Sequence, residues 1–434
     1  MKKLFKLLLV SALVVSFVGC DSNTPKPTNT PGSEEESGLV WSNWSGAEEG
    51  SIESIKFLVD EWNKGADELD KVEQINWPWG DTTTQAALRA RGTEKYDIAQ
   101  LDIRMLPALA EAGILADLSE IFPANFFTDN FDTGTASVGQ YKGVQYGVPW
   151  TVAPMAMIAN PTILKDSGVD FSVATIADFE KACDMVLKNH PDNLDGDKTN
   201  DIIPYAVMNK DDGTATPDFM AWLWTFGGEL FDKDGNITIN SQASIDAFNF
   251  FKSIHDKGYS NPAMARGDAR TLFSEGRVAF YDDALMSKGS IWNESIGPIE
   301  GHALPMARPV LKEGDSPKAV GWGHVLVVLN NSNKKDDAAN FISHLISEEM
   351  ALSYFKSNGL LPSKLEVLNS DEVQNDYWSK SWVPVLNGGR LTETAGTKEA
   401  AYNAVINQSL QGLISGDKTP EQAVADIESG IKNS

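Results

Sequence analysis

From Leu39 to the C-terminus, short β-prone runs alternate with stretches of helical spacing, and that order restricts the chain to few architectures. Leu39 to Trp44 is β-prone, and Ser51 to Asn63 then sets Ile52, Ile55, Leu58, Val59 and Trp62 on one face of a helix. Lys71 to Trp77 alternates as a strand does, and Thr82 to Arg91 has helical spacing. Tyr96 to Leu101 reads as a strand, and Leu106 to Ala112 as a helix stopped by Gly113. Strand and helix in alternation specify an α/β fold, a parallel or mixed sheet flanked by helices on both faces. The later chain is richer in helical spacing, at Ile176 to Leu187, Pro217 to Phe226, Ala243 to Lys257 and Asp268 to Glu275. Gly276 to Tyr281 and Gly323 to Leu329 are apolar strand candidates, and Lys335 to Ile346 is a further helix. This body of roughly four hundred residues is long enough for two or three domains with cores of their own. No repeat of fixed period is visible.

The N-terminus is of another kind. Lys2, Lys3 and Lys6 precede an apolar run from Leu7 to Val18, the layout of a secretory signal over residues 1–19. The run is too short to span a bilayer, which takes about 20 apolar residues. Gly19-Cys20 resembles the cleavage point of a bacterial lipoprotein signal, where the thiol is acylated. Val18 and Gly19 fit that pattern, and Phe17 stands where Leu is usual. Ordinary cleavage nearby, with Cys20 left free, is the alternative. Residues 20–38 then form a linker: Asp21 to Gly38 holds no aliphatic or aromatic residue and cannot bury surface to offset its ordering entropy. Its Pro, Ser and Thr content reads as an extended tether.

The formal net charge is −25, and removal of the three signal lysines takes it to about −28. A body this acidic does not attract nucleic acid or anionic lipid through its net field, and acidity of this kind more often serves solubility than a cationic ligand. Beyond Cys20 the only cysteine is Cys183, in a helical stretch, so no intramolecular disulfide forms if Cys20 is acylated. Cys183 is expected as a small core hydrophobe. Of twelve tryptophans, several lie beside turn formers or acids: Trp41 and Trp44 before Glu48, Trp77 and Trp79 before Asp81, Trp150 after Pro149, Trp322 between glycines. An indole face can stack on the C–H face of a sugar or on a cation, and it equally fills a core. Asp192 to Asp201 clusters oxygen ligands as calcium loops do, but lacks the glycine and the twelfth-position Glu of the EF-hand pattern and reads as a solvated loop. The five histidines show no metal spacing. No cofactor is implied.

Several phrases, in order, resemble the extracellular solute-binding proteins that feed bacterial ABC importers, in the carbohydrate-binding group that includes maltose-binding protein. They are residues 96–122 ending in Gly-Ile-Leu-Ala-Asp-Leu, the Tyr-Gly-Val-Pro crossover within 143–164, and the Gly-Gly-Glu-Leu-Phe-Asp turn within 222–240. Residues 272–283, 321–347, 359–364 and 416–427 complete the series. Phe280-Tyr281-Asp282-Asp283 departs from it, standing where many relatives have Met, an apolar residue and a glycine.

The resemblance implies a two-lobe periplasmic-binding-protein fold of the type II kind, each lobe a mixed sheet flanked by helices, with the ligand in the cleft between lobes. Residues 39–152 and 319–358 would form the first lobe, 153–318 and 359–434 the second. It implies a monomeric carrier for a small carbohydrate, held at the outer face of the cell membrane by its lipid and read by permease subunits. It places Trp44, Glu48, Asp81, Asp102, Trp150 and Trp322 at the ligand from the first lobe and the crossovers, with Trp224, Gly227, Gly228 and Asp282 or Asp283 from the second. Carboxylates would accept hydrogen bonds from sugar hydroxyls, and indoles would supply stacking area. Asp81 and Asp102 read equally as helix caps, and Trp322 as a packing plug at the hinge. Two other readings remain: a betaine or polyamine held by the same Trp and Asp side chains, and a lipid-anchored glycoside hydrolase. The hydrolase requires a carboxylate pair that nothing in the sequence singles out.

Overall fold

The structure is a computed structural model, and it describes residues 38–434 apart from 49–50, 68–69, 79–80, 90–95, 211–214, 233, 387, 395 and 397. The expectations for the signal, for Cys20, for the tether through Ser37 and for Trp79 lie outside the described residues. Two sheets, each flanked by helices, organise the rest.

The first sheet has the strand order Leu361–Pro362, Gly147–Val152, Gly323–Val328, Ile98–Asp102, Leu39–Asn43, Val72–Asn76. Leu39–Asn43 runs parallel to both of its neighbours, and Gly323–Val328 is antiparallel to both of its own. The central strands are buried along their whole length, so the polar Gln100, Asp102 and His324 among them need hydrogen-bond partners in the interior. This pairing sets the C-terminal ends of Leu39–Asn43, Ile98–Asp102 and Gly147–Val152 at one edge, beside the beginning of Gly323–Val328, where His324 lies opposite Asp102. Helix Ile52–Asn63 covers one face with Ile55, Leu58 and Val59.

The second sheet has the order Gly389–Arg390, Ala319–Val320, Met155–Ala159, Val278–Ala284, Ile203–Ala206, with Leu304–Met306 also paired to Met155–Ala159. The chain therefore passes between sheets three times. Ala153 N–H donates to the carbonyl of Trp322 at 2.8 Å, so two of the passages are hydrogen-bonded to each other. Two positions differ from the expected boundaries. Ala319–Val320 still belongs to the second sheet, so the return begins at Gly321. Leu361–Pro362 still edges the first sheet, paired to Thr151 and Val152, so the last departure comes beyond Asn358. The terminal helices Glu399–Ser415 and Pro420–Asn433 pack with Gln242–Asp256 against the second half.

Aromatic contacts hold both cores. In the first, Trp41 meets Trp150 edge-on at 5.8 Å and Phe341 at 5.6 Å, while Trp150 stacks on Tyr354 at 4.4 Å. In the second, Phe179 lies 5.2 Å from Tyr205 and 5.3 Å from Phe280. Cys183 is buried among them as a free thiol, and burial pushes its pKa well up. No helix of the described residues is long and apolar enough to cross a membrane.

The departure at Phe280 to Asp283 has a structural cause. Asp282 is buried and takes hydrogen bonds from Tyr205 and Arg308, and its carbonyl takes one from Arg266. Arg266 also donates to Asp218 at 2.8 Å, and Trp222 to the Tyr205 hydroxyl at 3.0 Å. Asp283 is spent on Arg270 through bonds of 2.7 and 2.9 Å. Here charges pair within the interior, and each depends on its partner. Asp282→Ala takes from Arg308 its hydrogen-bonded carboxylate in the interior. It should lower the unfolding free energy by about 3–5 kcal/mol, read from urea denaturation.

Candidate functional site

The edge of the first sheet where three strands end and one begins is the position at which α/β sheets usually present their ligand sites. A cavity of about 430 Å³ opens there, lined by Trp44, Glu48, Ser51, Trp322, His324, Asn358 and Leu360, with Met286 coming from the segment after Val278–Ala284 of the second sheet. Its size is within the roughly 300–1,000 Å³ of small-molecule sites. A second cavity of about 420 Å³ shares Met286 and Asn358 with it and extends past Phe355, Lys288, Asp376 and Trp378.

The walls are held by a chain of hydrogen bonds. Asp102 accepts from the Arg104 backbone N–H at 2.9 Å and from the Arg104 guanidinium at 3.0 and 2.8 Å. Its Oδ2 also accepts from the Trp322 indole N–H at 2.9 Å. Trp322 therefore has a fixed ring plane, edge-on to His324 at 5.0 Å. Trp44 meets the same imidazole edge-on at 4.8 Å. On the adjacent strand Gln100 accepts from the backbone N–H groups of Trp44 and Ser45, both at 3.3 Å. Its amide nitrogen reaches Ser45 Oγ at 2.8 Å and His324 Nδ1 at 3.1 Å. Ser45 Oγ in turn meets the Tyr354 hydroxyl at 2.7 Å.

The cavity thus brings together three residues anticipated from sequence, Trp44, Glu48 and Trp322. Partial burial raises the Glu48 carboxyl above its ordinary pKa. Asp102 lies next to the site but has both oxygens engaged, so it positions Trp322 and does not itself line the cavity. Trp150 is 2% exposed, enclosed by Trp41 and Tyr354. Trp224 is buried beneath the Arg390 guanidinium, 4.0 Å from its ring centre. Arg390 is held there by Glu229 at 3.1 Å and Glu393 at 2.7 Å, and burial pushes Glu393 up to about 8. At Gly228 any Cβ would stand 2.4 Å from Leu223 Cδ1, so that glycine serves close packing beside the Gly227 turn. Asp283 belongs to the Arg270 pair, and Asp81 is exposed, outside the lining of this cavity.

Sequence reasoning missed His324, Asn358 and Met286. A lone histidine beside a tryptophan carries no spacing signal, and Met286 reaches the site only through the pairing of the second sheet. In the loop at Asp192 to Asp201, Asp195 accepts from Asp197 N–H at 2.7 Å and Asp197 from Thr199 N–H at 2.9 Å. Among the described residues no group of three or more His, Cys, Asp or Glu side chains converges as a metal site.

Burial lowers His324 from its ordinary 6.5 to about 4, against the opposing pull of Asp102, and burial lowers His255 likewise to about 4. Each then takes its proton more readily in the unfolded chain. Their stabilisation is complete above about pH 6.5 and is lost as pH falls toward 4. For His324 the loss is on the order of 3 kcal/mol at the acid end of that window. Urea unfolding free energies measured across the window should fall with acidification, and less steeply in His324→Asn.

The matching family model, bacterial extracellular solute-binding protein, covers residues 59–377. A putative binding protein of Brucella abortus is 22% identical over 80% of this chain and 82% of its own length. The arabinooligosaccharide-binding protein of Bacillus subtilis is 24% identical over 98% of this chain and 97% of its own. In three dimensions, the cyclic alpha-maltosyl-1,6-maltose binding protein of Arthrobacter globiformis aligns with a TM-score of 0.75 at 21% identity, over 92% of this chain and 98% of that one. With the two sheets and the cavity at their junction, these likenesses place the chain in the family of bacterial extracellular solute-binding proteins.

Proposed function

We propose that the chain is the capturing component of an ABC importer, which takes up a mono- or oligosaccharide or a small glycoside and hands it to membrane permease subunits. The observation that carries this reading is the cavity itself: two indoles, a carboxylate and an imidazole face one space, and Met286 closes it from the second half. Indoles stack on sugar C–H faces, while Glu48 can accept from hydroxyls. A ligand that touches both halves binds the closed arrangement more tightly than the open one, and that difference drives closure. The adjoining cavity beyond Met286 and Asn358 leaves room for a second sugar unit. The relatives' ligands, arabino-oligosaccharides and a cyclic maltosyl-maltose, are of the same class. In this reading the protein acts as a monomer, performs no chemistry on its ligand, and is tethered outside the membrane through acylated Cys20.

A melting-temperature screen tests the proposal. The protein is first unfolded and refolded to strip carried-over ligand, then challenged with arabino-oligosaccharides, maltodextrins, the cyclic maltosyl-maltose, sugar acids, polyols, betaines and polyamines. A ligand at a hundred times its dissociation constant stabilises by about 2.7 kcal/mol, a readily visible shift. One or a few neutral saccharides, recovered intact, should produce it. A shift confined to the cations overturns the saccharide reading, and a consumed saccharide overturns the carrier reading. Trp322→Ala should weaken the active saccharide by about tenfold or more while the protein remains folded, as isothermal titration and circular dichroism would show.

A further inference from the structure

His324 is almost wholly buried, yet its Nε2 has no hydrogen-bond partner among the described residues. A buried polar nitrogen left unpaired is costly, and native structures rarely keep one without a reason. This nitrogen belongs to a residue that lines the 430 Å³ cavity, with an indole edge-on at 4.8 Å and another at 5.0 Å.

Its protonation follows from the partners of Gln100. Two backbone N–H groups, those of Trp44 and Ser45, point at Gln100 Oε1, and backbone N–H groups can only donate. The amide is therefore fixed with its oxygen toward them and its NH₂ toward Ser45 Oγ and His324 Nδ1. An NH₂ group donates, so Nδ1 must be the unprotonated, accepting nitrogen. In a neutral imidazole the proton then sits on Nε2. Three charged groups surround the ring: Asp102 opposite it on the neighbouring strand, Arg104 bonded to Asp102, and Glu48 across the cavity. Both oxygens of Asp102 are engaged, and Arg104 balances its charge at 2.8 Å, which leaves burial as the larger influence on the imidazole.

We propose that His324 is a specificity-determining residue whose Nε2–H donates a hydrogen bond to an acceptor oxygen of the ligand, held between the Trp44 and Trp322 rings. The inference rests on the saccharide reading of the cavity and deepens it. The imidazole supplies a donor and Glu48 an acceptor, so the site demands a ligand that presents both an accepting and a donating oxygen group. Sugar hydroxyls and ring oxygens do so. An alkylammonium or polyamine offers donors only and leaves Nε2–H unpaired, while a betaine's carboxylate can accept from Nε2–H but brings no donor for Glu48. Because the ring stays neutral, His324 itself adds no pH dependence to the affinity between pH 5 and pH 8.

Two measurements on the protein test this, one of them needing no ligand. Two-bond proton–nitrogen spectra of histidine-labelled protein, assigned with His324→Phe, should show His324 as the neutral Nε2–H form throughout that pH range. Gln100→Leu should free the ring to take the other tautomer. An Nδ1–H form in the unsubstituted protein, or titration within the range, overturns the donor. The second measurement is isothermal titration with maltotriose, arabinotriose and the cyclic maltosyl-maltose. For the one that binds, His324→Phe should cost about tenfold in affinity, the size expected when a buried ligand oxygen loses its donor. A monodeoxy analogue lacking the contacted hydroxyl should bind the unsubstituted protein and His324→Phe alike. Unchanged affinity for the parent saccharide in His324→Phe overturns the proposal while leaving saccharide capture standing. No binding of any saccharide, with the tautomer as described, overturns the saccharide reading and with it the assigned role, while the imidazole chemistry stands.

Discussion

The amide of Gln100 is the point on which the geometry of the cavity turns. Its oxygen stops the backbone at Trp44 and Ser45, where the first strand ends, and its nitrogen sets the ring of a histidine more than two hundred residues away. Neither strand alone could place the two aromatic walls. The end of Leu39–Asn43 carries one indole, the start of Gly323–Val328 carries the other, and only a side chain from the strand between them reaches both. Asp102, two residues further along that strand, secures the second indole in the same way. One short buried strand therefore supplies the scaffold of the site without lining it.

This arrangement also explains which parts of the site could be read in the sequence. Strands and helices were legible because burial on one or both faces imposes a period: Leu39–Asn43, Val72–Asn76, Ile98–Asp102 and Gly323–Val328 fall within a residue or two of the patterned runs. Trp44, Glu48 and Trp322 were reached through the family resemblance, which set them toward the ligand at strand ends and crossovers. Asp102 was recognised as important, but its role was not legible. Whether a carboxylate faces a ligand or a scaffold partner is decided by Trp322, 220 residues distant, and by a guanidinium two residues away. Trp150 and Trp224 stay outside the cavity lining for a similar reason, since Tyr354 and Arg390 cover their faces from remote segments.

The second half shows the same logic with charge in place of aromatic stacking. Asp282 and Asp283 sit side by side on one strand with their side chains on opposite faces, and each face supplies its own arginine. An acidic pair within an apolar phrase looks like ligand chemistry in a sequence. In three dimensions it is a set of internal ion pairs, and Tyr205 and Trp222 complete it.

Trp322 occupies one of the passages between the two sheets, and its carbonyl receives the N–H of Ala153 from another. The residue whose ring faces the cavity is thus part of the joint itself. Its indole is tied to Asp102 of the first sheet, while its carbonyl meets the segment that leads into the second. One residue therefore joins a wall of the cavity to the passage between the sheets, with no side chain in between.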